Sequence, residues 1–486
     1  RVFASGTGGT AGGGIGGGGT GGTAGGGIGG GGSGGMAGSG GTGGGPNCEA
    51  AAWCKLATAP LSAAQTAVNR SDNSVWVAGK FTQAITFGST TLTPAAGGSW
   101  ALLHYDVNGT LLGAFKTADG AVESPSIAAL AVDNAGGVYV FTGAFSGTIT
   151  LPTSTTPATL TAGSTGESAD SALIKLDSDG RYLWGFSFKT SDNGELVPGY
   201  VDASGSRLAL AFKIGSSVQL NQVGVGTKGT GALTGDAAQQ GDVAIVVVDS
   251  GNGAFQWAKS FGSTLEQTPK CVALDSSGDV LVGGEYDKTL NFNPGSPGAE
   301  LGSGEEERRA FTAKLAGATG AHTWSKSFGA GAYTETNVLS CALDSSRSDL
   351  FLTGRFNSAT QSFGGPAITN PNVGDGLSYT YIAHLSNAGA HVYSAGAPYF
   401  AASIAGDGAG AYSVGSLQSA PVDFGGGALS GTVVAKYSST GTHQDSQALA
   451  ATSSVGISVA VGASNVPFAF RNSATPAQTE VWRHQP

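Results

Sequence analysis

The carboxylates of this sequence that could do chemistry recur at one place in a repeated pattern. Five aspartates each follow a short apolar segment and lead into a polar turn: Asp133, Asp202, Asp275, Asp344 and Asp407. DSDG at 177–180 and DSSGD at 275–279 resemble the start of a calcium loop, but both lack its distant bidentate Glu. Aspartate also accepts hydrogen bonds from turn amides. We therefore expect these aspartates to shape turns, with no cofactor bound and calcium as the weaker alternative.

The six histidines do not form a motif. One set stands where other repeats carry lysine in a third apolar segment: His104, His384 and His484. A second set precedes a fourth segment: His322, His391 and His443. Equivalent positions of a repeat lie far apart, so neither set predicts a metal site or a triad, and we expect the first set to be a solvated strand flank. With no nucleophile elbow, phosphate loop or zinc spacing, we predict no catalytic, cofactor or metal residues and no enzyme activity.

The four cysteines form two pairs in the sequence, Cys48 with Cys54 and Cys271 with Cys341. No CxxC occurs, which argues against a structural zinc site. We predict two disulfides, one anchoring the start of the folded region and one joining neighbouring repeats. Disulfides persist in oxidising compartments, so the protein is expected outside the cytoplasm.

Tryptophan recurs at one position of the fourth segment, at Trp53, Trp184, Trp257 and Trp324. A sugar-stacking role is conceivable there, but repetition at one position favours an apolar body that packs between neighbouring units. Another set breaks the period: Trp76, Trp100 and Trp482. Any functional exposure of tryptophan is expected in this second set.

Apolar segments of five to eight residues position these side chains. One type has a central small residue, as in VWVAGKF at 75–81 and LFLTGRF at 350–356. The small residue recurs every 54 to 73 residues, at Gly79, Gly143, Ala211, Gly284, Gly354, Gly415 and Ala469. Four such segments per unit, separated by turns such as DVNG and DNAGG, predict the four-stranded antiparallel blade of a β-propeller.

The two ends of the chain predict the number of blades. The C-terminal region supplies three strands without a fourth, whereas AAWCKLA at 51–57 matches the fourth-strand pattern FQWAKSF at 255–261. Six full units plus this divided unit make a seven-bladed, all-β propeller. The N-terminal strand would complete the last blade and so remove an exposed sheet edge.

The blade pattern resembles that of a known bacterial family. An inner strand ending in Asp, a V-Y-V-T-G-x-F strand, a D-x-A-x-I-K-L-D strand and a W-x-x-S-F-G strand are similar to the seven-bladed propeller repeat known as SBBP, over residues 51–486. Such repeats are frequent in secreted proteins and lipoproteins of myxobacteria and related bacteria, often behind Gly/Ser/Thr-rich leaders. The resemblance implies a fold and a compartment. The family has no shared catalytic motif, so it implies no active site.

A glycine-rich arm at 1–47 precedes the propeller at 48–486. Residues 7–45 are three 13-residue units, of which the first two both read TGGTAGGGIGGGG. The net charge of −10 argues against nucleic acid as a partner, and no apolar run is long enough to predict a transmembrane segment. Because the chain begins at Arg1, we expect a signal segment to have been removed, and a lipid anchor could have preceded it.

These features favour a non-enzymatic structural protein of an extracellular or cell-surface location. The arm would either display the propeller as a flexible linker or join copies into a filament or surface layer, so the expected partner is the protein itself or a cell-surface component. The alternative is an adhesive module that binds glycan or protein, and a polysaccharide-active enzyme is less favoured. Binding specificity would lie in the variable loops at 146–169, 215–241 and 287–308.

Overall fold

The structure is a computed structural model that describes residues 53–484 apart from short stretches. The stretches left out are 121–125, 144, 146, 155, 162–169, 191–195, 224–229, 236–240, 264, 294–298, 303–307, 330–333, 374–377, 408–409, 417–421, 424–426, 451–455 and 475–476. The predicted arm at 1–47 lies outside the described residues, so its boundary with the propeller stays a prediction.

The described residues form β-strands joined mainly by tight turns. The first strands are β1 Trp53–Ala59, β2 Ser62–Val68, β3 Val75–Phe81, β4 Ile85–Phe87, β5 Thr90–Leu92, β6 Ser99–Tyr105, β7 Leu111–Gly120, β8 Ile127–Val132, β9 Val138–Thr142, β10 Thr148–Leu151, β11 Ala158–Thr161, β12 Ser171–Leu176 and β13 Tyr182–Thr190. The middle strands are β14 Leu196–Ser204, β15 Arg207–Ile214, β16 Val218–Val223, β17 Thr230–Leu233, β18 Asp242–Asp249, β19 Phe255–Phe261, β20 Gln267–Leu274, β21 Val280–Asp287, β22 Thr289–Asn291, β23 Glu300–Gly302, β24 Arg308–Leu315, β25 His322–Phe328, β26 Thr336–Leu343 and β27 Leu350–Phe356. The last strands are β28 Thr360–Gln361, β29 Ile368–Thr369, β30 Tyr379–Leu385, β31 His391–Ala397, β32 Phe400–Gly406, β33 Gly410–Ser416, β34 Val422–Asp423, β35 Ala428–Leu429, β36 Thr432–Ser438, β37 His443–Ala450, β38 Gly456–Val461, β39 Pro467–Ala474 and β40 Ala477–His484. A short 3₁₀ helix, Ala463–Asn465, joins β38 to β39.

Seven four-stranded antiparallel blades arise from these strands, as predicted. From the inner to the outer strand they are β2-β3-β6-β7, β8-β9-β12-β13, β14-β15-β18-β19, β20-β21-β24-β25, β26-β27-β30-β31, β32-β33-β36-β37 and β38-β39-β40-β1, numbered here as blades 1 to 7. The inner strands of neighbouring blades contact one another all round the ring. Strand β1 pairs with β40, with Trp53 opposite His484, so the N-terminal strand closes the ring as predicted.

The hydrophobic core is divided among the junctions between blades. The described residues form seven buried clusters, and each is dominated by side chains from two neighbouring blades. At the junction of blades 2 and 3, the rings of Phe141, Phe188 and Phe212 pack in tilted and edge-to-face arrangements, with ring centroids within 5.7 Å of one another. Each blade therefore buries its faces only against its neighbours, which is why the ring must close.

The recurrent small residue of the second strand makes room for a bulge in the first strand. In six blades the inner strand contains one extra residue at or beside the point opposite this position. A Cβ on Gly354 would lie 1.9 Å from the carbonyl oxygen of Asn337. In blade 3 the glycine lies on the other strand of the pair. Ala211 takes the position of the small residue, and Gly199 lies in the bulge, where an added Cβ would be 2.1 Å from the carbonyl oxygen of Ala211.

We expect Gly354→Ala to lower the free energy of unfolding by about 2 kcal/mol, because the added Cβ forces the bulge carbonyl to move. Gly302→Ala is the matched control, since Gly302 also lies in a strand but a Cβ added there would meet no neighbouring atom within 4 Å. Denaturant unfolding of the two variants measures the difference. Equal stabilities would contradict this explanation of the repeated small residue.

The connections between the second and third strands carry additional hairpins. The predicted variable loops at 146–169 and 215–241 contain β10–β11 and β16–β17. Strand β10 pairs with the outer strand of blade 1, and β16 pairs with the outer strand of blade 2, so both sheets become six-stranded. The loop at 287–308 forms β22–β23, which is a separate two-stranded sheet.

Candidate functional site

The turn aspartates bind backbone amides, as expected. In blade 2, the Asp133 Oδ1 accepts hydrogen bonds from the amides of Ala135 and Gly137, at 2.9 and 2.8 Å. In blade 4, the Asp275 Oδ1 accepts hydrogen bonds from the amides of Ser277 at 2.8 Å and of Asp279 at 2.9 Å. Their repetition in the sequence therefore reflects the repeated turn.

His104, His384 and His484, which share a strand position with lysines of other blades, were expected on a solvated flank. This expectation was wrong for His384, and two of those lysines are buried as well. Lys175, Lys314 and His384 are each only 8% exposed. They face carboxylates of their own blade in the pairs Lys175–Asp133 at 3.6 Å, Lys314–Asp275 at 2.7 Å and His384–Asp349 at 3.0 Å. His104 lies flat on Trp76, with ring centroids 3.8 Å apart, and burial lowers its pKa. These side chains are buried because the next blade covers the end of the strand.

The same side chains also bind the next blade. The Lys175 Nζ donates to the carbonyl oxygen of Ser250 in blade 3 at 2.7 Å, and the Lys314 Nζ donates to the Asn387 Oδ1 in blade 5. The recurrent tryptophans do likewise, with indole nitrogens 2.8 to 3.1 Å from turn carbonyls of the following blade: Trp184 to Gly251, Trp257 to Gly317 and Trp324 to Asn387. Packing between units, as predicted for this tryptophan position, is confirmed.

Any functional exposure of tryptophan was expected among the three aperiodic tryptophans, but two of them are buried. Trp76 is 1% exposed and Trp100 is 2% exposed, both within the junction of blades 1 and 2. Trp482 is partly buried at the junction of blades 6 and 7. No fully exposed tryptophan therefore lies among the described residues to stack on a sugar ring.

The second histidine set stays local to each blade. The His322 ring nitrogen lies 3.0 Å from the Ser325 hydroxyl, and the His391 ring nitrogen lies 3.1 Å from the Ser394 hydroxyl. Burial lowers the pKa of both histidines, and for His391 the charge of His384 lowers it further. Among the residues that the structure describes, no three His, Cys, Asp or Glu side chains group closely enough to hold a metal ion.

The predicted Cys271–Cys341 disulfide is confirmed. It joins the inner strands of blades 4 and 5, with the two Cα atoms 5.6 Å apart. A Cβ on Gly283 would lie 2.9 Å from the Cys271 sulfur, so the first glycine of VLVGGEY leaves space for the bridge. The predicted Cys48–Cys54 pairing involves Cys48, which lies outside the described residues, although Cys54 itself is disulfide-bonded.

Asp202 was expected to shape a turn, and this was wrong: it lies within strand β14, opposite Ala209, and binds an arginine of a blade that is not its neighbour. Its two carboxylate oxygens accept hydrogen bonds from both terminal nitrogens of Arg347 in blade 5, at 2.7 and 3.1 Å. Arg347 also donates to the carbonyl oxygens of Leu274 and Ala203. Burial by itself raises the pKa of Asp202, but the charge and hydrogen bonds of Arg347 outweigh it and hold that pKa below its usual range.

Arg347 reaches the axis from a strained turn position. Its φ is 55°, in the left-handed region that favours glycine. The equivalent residues of neighbouring turns are Gly136 in DNAG and Gly278 in DSSG, with φ of 83° and 77°. The structure thus tolerates about 1 kcal/mol of backbone strain to place a guanidinium here. In the sequence, DSSRSD at 344–349 has Arg347 where the equivalent turns have glycine. This substitution could have indicated a special role, but a search for what the repeats share does not reveal it.

A second arginine, Arg70, enters the same region from the first turn of blade 1. Its Nη1 lies 3.3 Å from the carbonyl oxygen of Asp344 in blade 5, and this is its one hydrogen bond to the described residues. Blades 1, 3 and 5 are not neighbours, so Arg70, Asp202 and Arg347 meet across the ring. A cavity of about 130 Å³ lies among them, walled by inner-strand residues of blades 3, 4 and 5. We call it the axial cavity.

A larger groove lies at the rim, between blades 4 and 5. Its volume is about 640 Å³, and it is lined by Ser325–Phe328 of the outer strand β25, by Ser362–Gly364 and by Gly389–His391. In blade 2 the equivalent outer-strand residues pair with the additional strand β16. Strand β25 has no such hydrogen-bonded partner among the described residues, although β23 contacts it, so within that part of the chain its edge is open to pairing. We call this the rim groove.

Lys326 makes the rim groove cationic. The equivalent lysine of blade 3, Lys259, donates to the carbonyl oxygen of Gly320 in the next blade at 2.7 Å. Lys326 lines the groove and makes no corresponding bond within the described part of the chain. The groove therefore combines an open backbone edge with an ammonium group and a histidine.

The arrangement of the blades defines a seven-bladed β-propeller. No protein-family model matches the sequence, and no curated protein matches it. Among solved structures the chain is similar to the WD40 domain of Neurospora crassa Pan2, at 11% identity over 90% of this chain and 97% of that chain, with a TM-score of 0.41. It is also similar to the polysaccharide lyase Uly1, at 10% identity over 84% and 88% with a TM-score of 0.42, and to a europium-containing methanol dehydrogenase, at 10% over 87% and 85% with 0.36. These likenesses concern the fold alone.

Helices are scarce in the part of the chain that the structure describes. None of the helical segments found there is long and apolar enough to cross a bilayer.

Proposed function

We propose that the protein is a non-enzymatic structural protein of an extracellular or cell-surface location, with its propeller displayed on, or assembled through, the glycine-rich N-terminal arm. The observation that carries this proposal is the role of the recurrent ionisable side chains. Lys175 and Lys314 each bind a carboxylate of their own blade and a turn of the next. These groups join blades around the ring and do not converge on one reaction centre.

Two further observations support the compartment and the assembly. The Cys271–Cys341 disulfide suits an oxidising location. We also propose that the protein belongs to the SBBP group of secreted proteins and lipoproteins, which agrees with such a location. The open edge of β25 offers unpaired backbone groups to which an extended chain can add as a strand. The expected partner is another copy of the protein or a cell-surface component.

The assembly form of the proposal is tested in the full-length chain with Ile15→Asp/Ile28→Asp. If copies pack through the arm, the two equivalent isoleucines of the repeat are buried, and a carboxylate in their place opposes association. We expect wild-type protein to form large assemblies by light scattering and negative-stain microscopy, and this variant to disperse into single rings. Thr10→Asp/Thr23→Asp adds the same charge to the same repeats and is expected to leave assembly intact.

Dispersed single rings of the wild-type protein at all concentrations would refute assembly through the arm. The display form would then be retained, because a flexible linker predicts no association between copies.

The rim groove favours a second candidate function, adhesion by binding a glycan or a protein. Its hydroxyls, Lys326 and His391 suit an acidic or polyhydroxyl ligand. A glycan array probed with the folded full-length protein distinguishes this candidate, which fails if no glycan or acidic polysaccharide binds.

A further inference from the structure

The axial cavity contains a guanidinium group that the protein itself does not fully bind. An arginine side chain has five N–H donors, but Arg70 makes only the 3.3 Å bond to the Asp344 carbonyl oxygen within the described residues. Burial, together with the nearby charge of Arg347, lowers the pKa of Arg70 to about 10. The charges of Asp202 and Asp344 raise that pKa but do not outweigh these two effects.

The carboxylates nearest to Arg70 are bound to other donors. Asp202 receives both terminal nitrogens of Arg347 and the amide of Leu274. The Asp344 carboxylate accepts hydrogen bonds from its own turn, namely from the hydroxyls of Ser346 and Ser348 and from two backbone amides. Asp202 and Arg347 thus form a neutral pair. The charge of Asp344 also acts on Arg70, but no carboxylate of the described residues forms an ion pair with the Arg70 guanidinium, so most of its N–H donors are available beside the cavity.

The walls of the axial cavity indicate which anion would fit. Apart from the charged residues and Cys341, they are Val201, Val272, Ala273, Ala342 and Leu343. Apolar walls favour a short hydrocarbon group over a strongly hydrated dianion such as phosphate. The volume of about 130 Å³ suits a molecule of a few non-hydrogen atoms.

We infer that the axial cavity is a binding site for a small monocarboxylate, with the carboxylate on the Arg70 guanidinium and a short aliphatic group against the apolar walls. Arg347, held in its strained turn by Asp202, forms the opposite wall and repels cations. This inference is independent of the proposed structural role. It assigns the ring a ligand site at the place where blades 1, 3 and 5 meet.

The test is a ligand-observed NMR titration of the full-length protein at pH 7 with propionate, a free short-chain carboxylate. N-acetylalanine represents a carboxylate at the end of a peptide chain, and propionamide is the neutral control of the same shape as propionate. We expect saturable binding of a carboxylate and none of propionamide. Arg70→Gln is expected to weaken binding at least tenfold, because it removes a charge-assisted hydrogen bond.

Arg207→Gln is the matched control, since Arg207 is another turn arginine, bonded at the surface to Gln256 and to a turn carbonyl. It is expected to leave binding unchanged. Ala342→Val keeps Arg70 and narrows the cavity, so it is expected to abolish binding even if the Arg70 variant does not fold. The inference is overturned if neither carboxylate binds, or if Arg70→Gln and Ala342→Val both bind within twofold of the wild type.

Discussion

Removal of the Cys271–Cys341 bridge is expected to lower the free energy of unfolding by about 4 kcal/mol. The bridge closes a loop of 70 residues, and a loop of this length removes roughly that much chain entropy from the unfolded state. It also joins the inner strands of blades 4 and 5, beside the axial cavity. Denaturant unfolding of Cys271→Ala/Cys341→Ala under oxidising conditions measures the loss.

Reduction provides the control for this prediction. Adding dithiothreitol to the wild type should bring its stability down to that of the double variant in the same reducing buffer. The variant itself should change less on reduction, since it keeps only the bridge of Cys54. A loss below about 1 kcal/mol would contradict the prediction, because it would mean that the closed ring already restrains the two strands as strongly as the covalent bond does.

The propeller fold was predictable because its signals are local and repeated. The small residue of the second strand, the turn aspartate and the fourth-strand tryptophan occur once in most units, and each reports on its own blade. The unmatched strand at 51–57 then predicted ring closure, and the pairing of Trp53 with His484 confirms it. The reason for the small residue, an inner-strand bulge, was not predictable, because it depends on the register between two strands.

The burial of the third-strand lysines was not predictable from the repeat. Lysine alternating with histidine at a strand end is typical of a solvated flank, but in the ring the turn of the next blade covers that end. The Lys175 bond to Ser250 joins residues 75 positions apart. Only the angle between neighbouring blades brings such residues together, and that angle has no signature in one repeat. The same reason accounts for the wrong expectation on Trp76 and Trp100.

The axial cluster was not predicted for a related reason. Comparison of repeats emphasises what the units share, whereas Arg70 and Arg347 are departures from the shared turn. Arg347 replaces a glycine of the equivalent turns, and that departure was visible in the sequence. Its partner was not, since Asp202 lies 145 residues away and across the axis. Departures from the repeat at turns that face the axis are therefore the signal to seek in such sequences.

Asp202→Asn is expected to lower the free energy of unfolding by about 3 kcal/mol at pH 7, because it leaves Arg347 without its carboxylate in a largely buried position. Asp179→Asn is the matched control. Asp179 also pairs with an arginine, Arg181, but both side chains are about half exposed. An exposed pair contributes less than about 1 kcal/mol. Denaturant unfolding of both variants measures the contrast, and equal losses would contradict the assigned role of Asp202.

The pH dependence of the free energy of unfolding distinguishes loss of the ion pair from a change in side-chain packing as the cause of the Asp202→Asn effect. The pKa of Asp202 is lowered in the folded protein, since Arg347 and the Leu274 amide outweigh the opposing effect of burial. The stabilisation by ionised Asp202 is therefore complete above the ordinary carboxylate pKa of about 4 and is lost as the pH falls through the lower folded value. The difference between wild type and Asp202→Asn should stay constant from about pH 5 to 8 and shrink below about pH 4. A difference that persists undiminished at about pH 2 would show that the amide disturbs packing and not charge.

Arg347→Gly completes the cycle, because glycine is the residue of the equivalent turns and relieves the strain at a φ of 55°. Alone, this variant leaves Asp202 unpaired and should destabilise the protein. In the Asp202→Asn background it removes a guanidinium that has already lost its partner, and there it should be neutral or stabilising. If Arg347→Gly lowers the free energy of unfolding of the wild type but does not lower that of Asp202→Asn, the ion pair with Asp202 is what compensates the backbone strain at Arg347. The strain at this turn then has its explanation at the axis, in the pair that fixes one wall of the cavity beside Arg70.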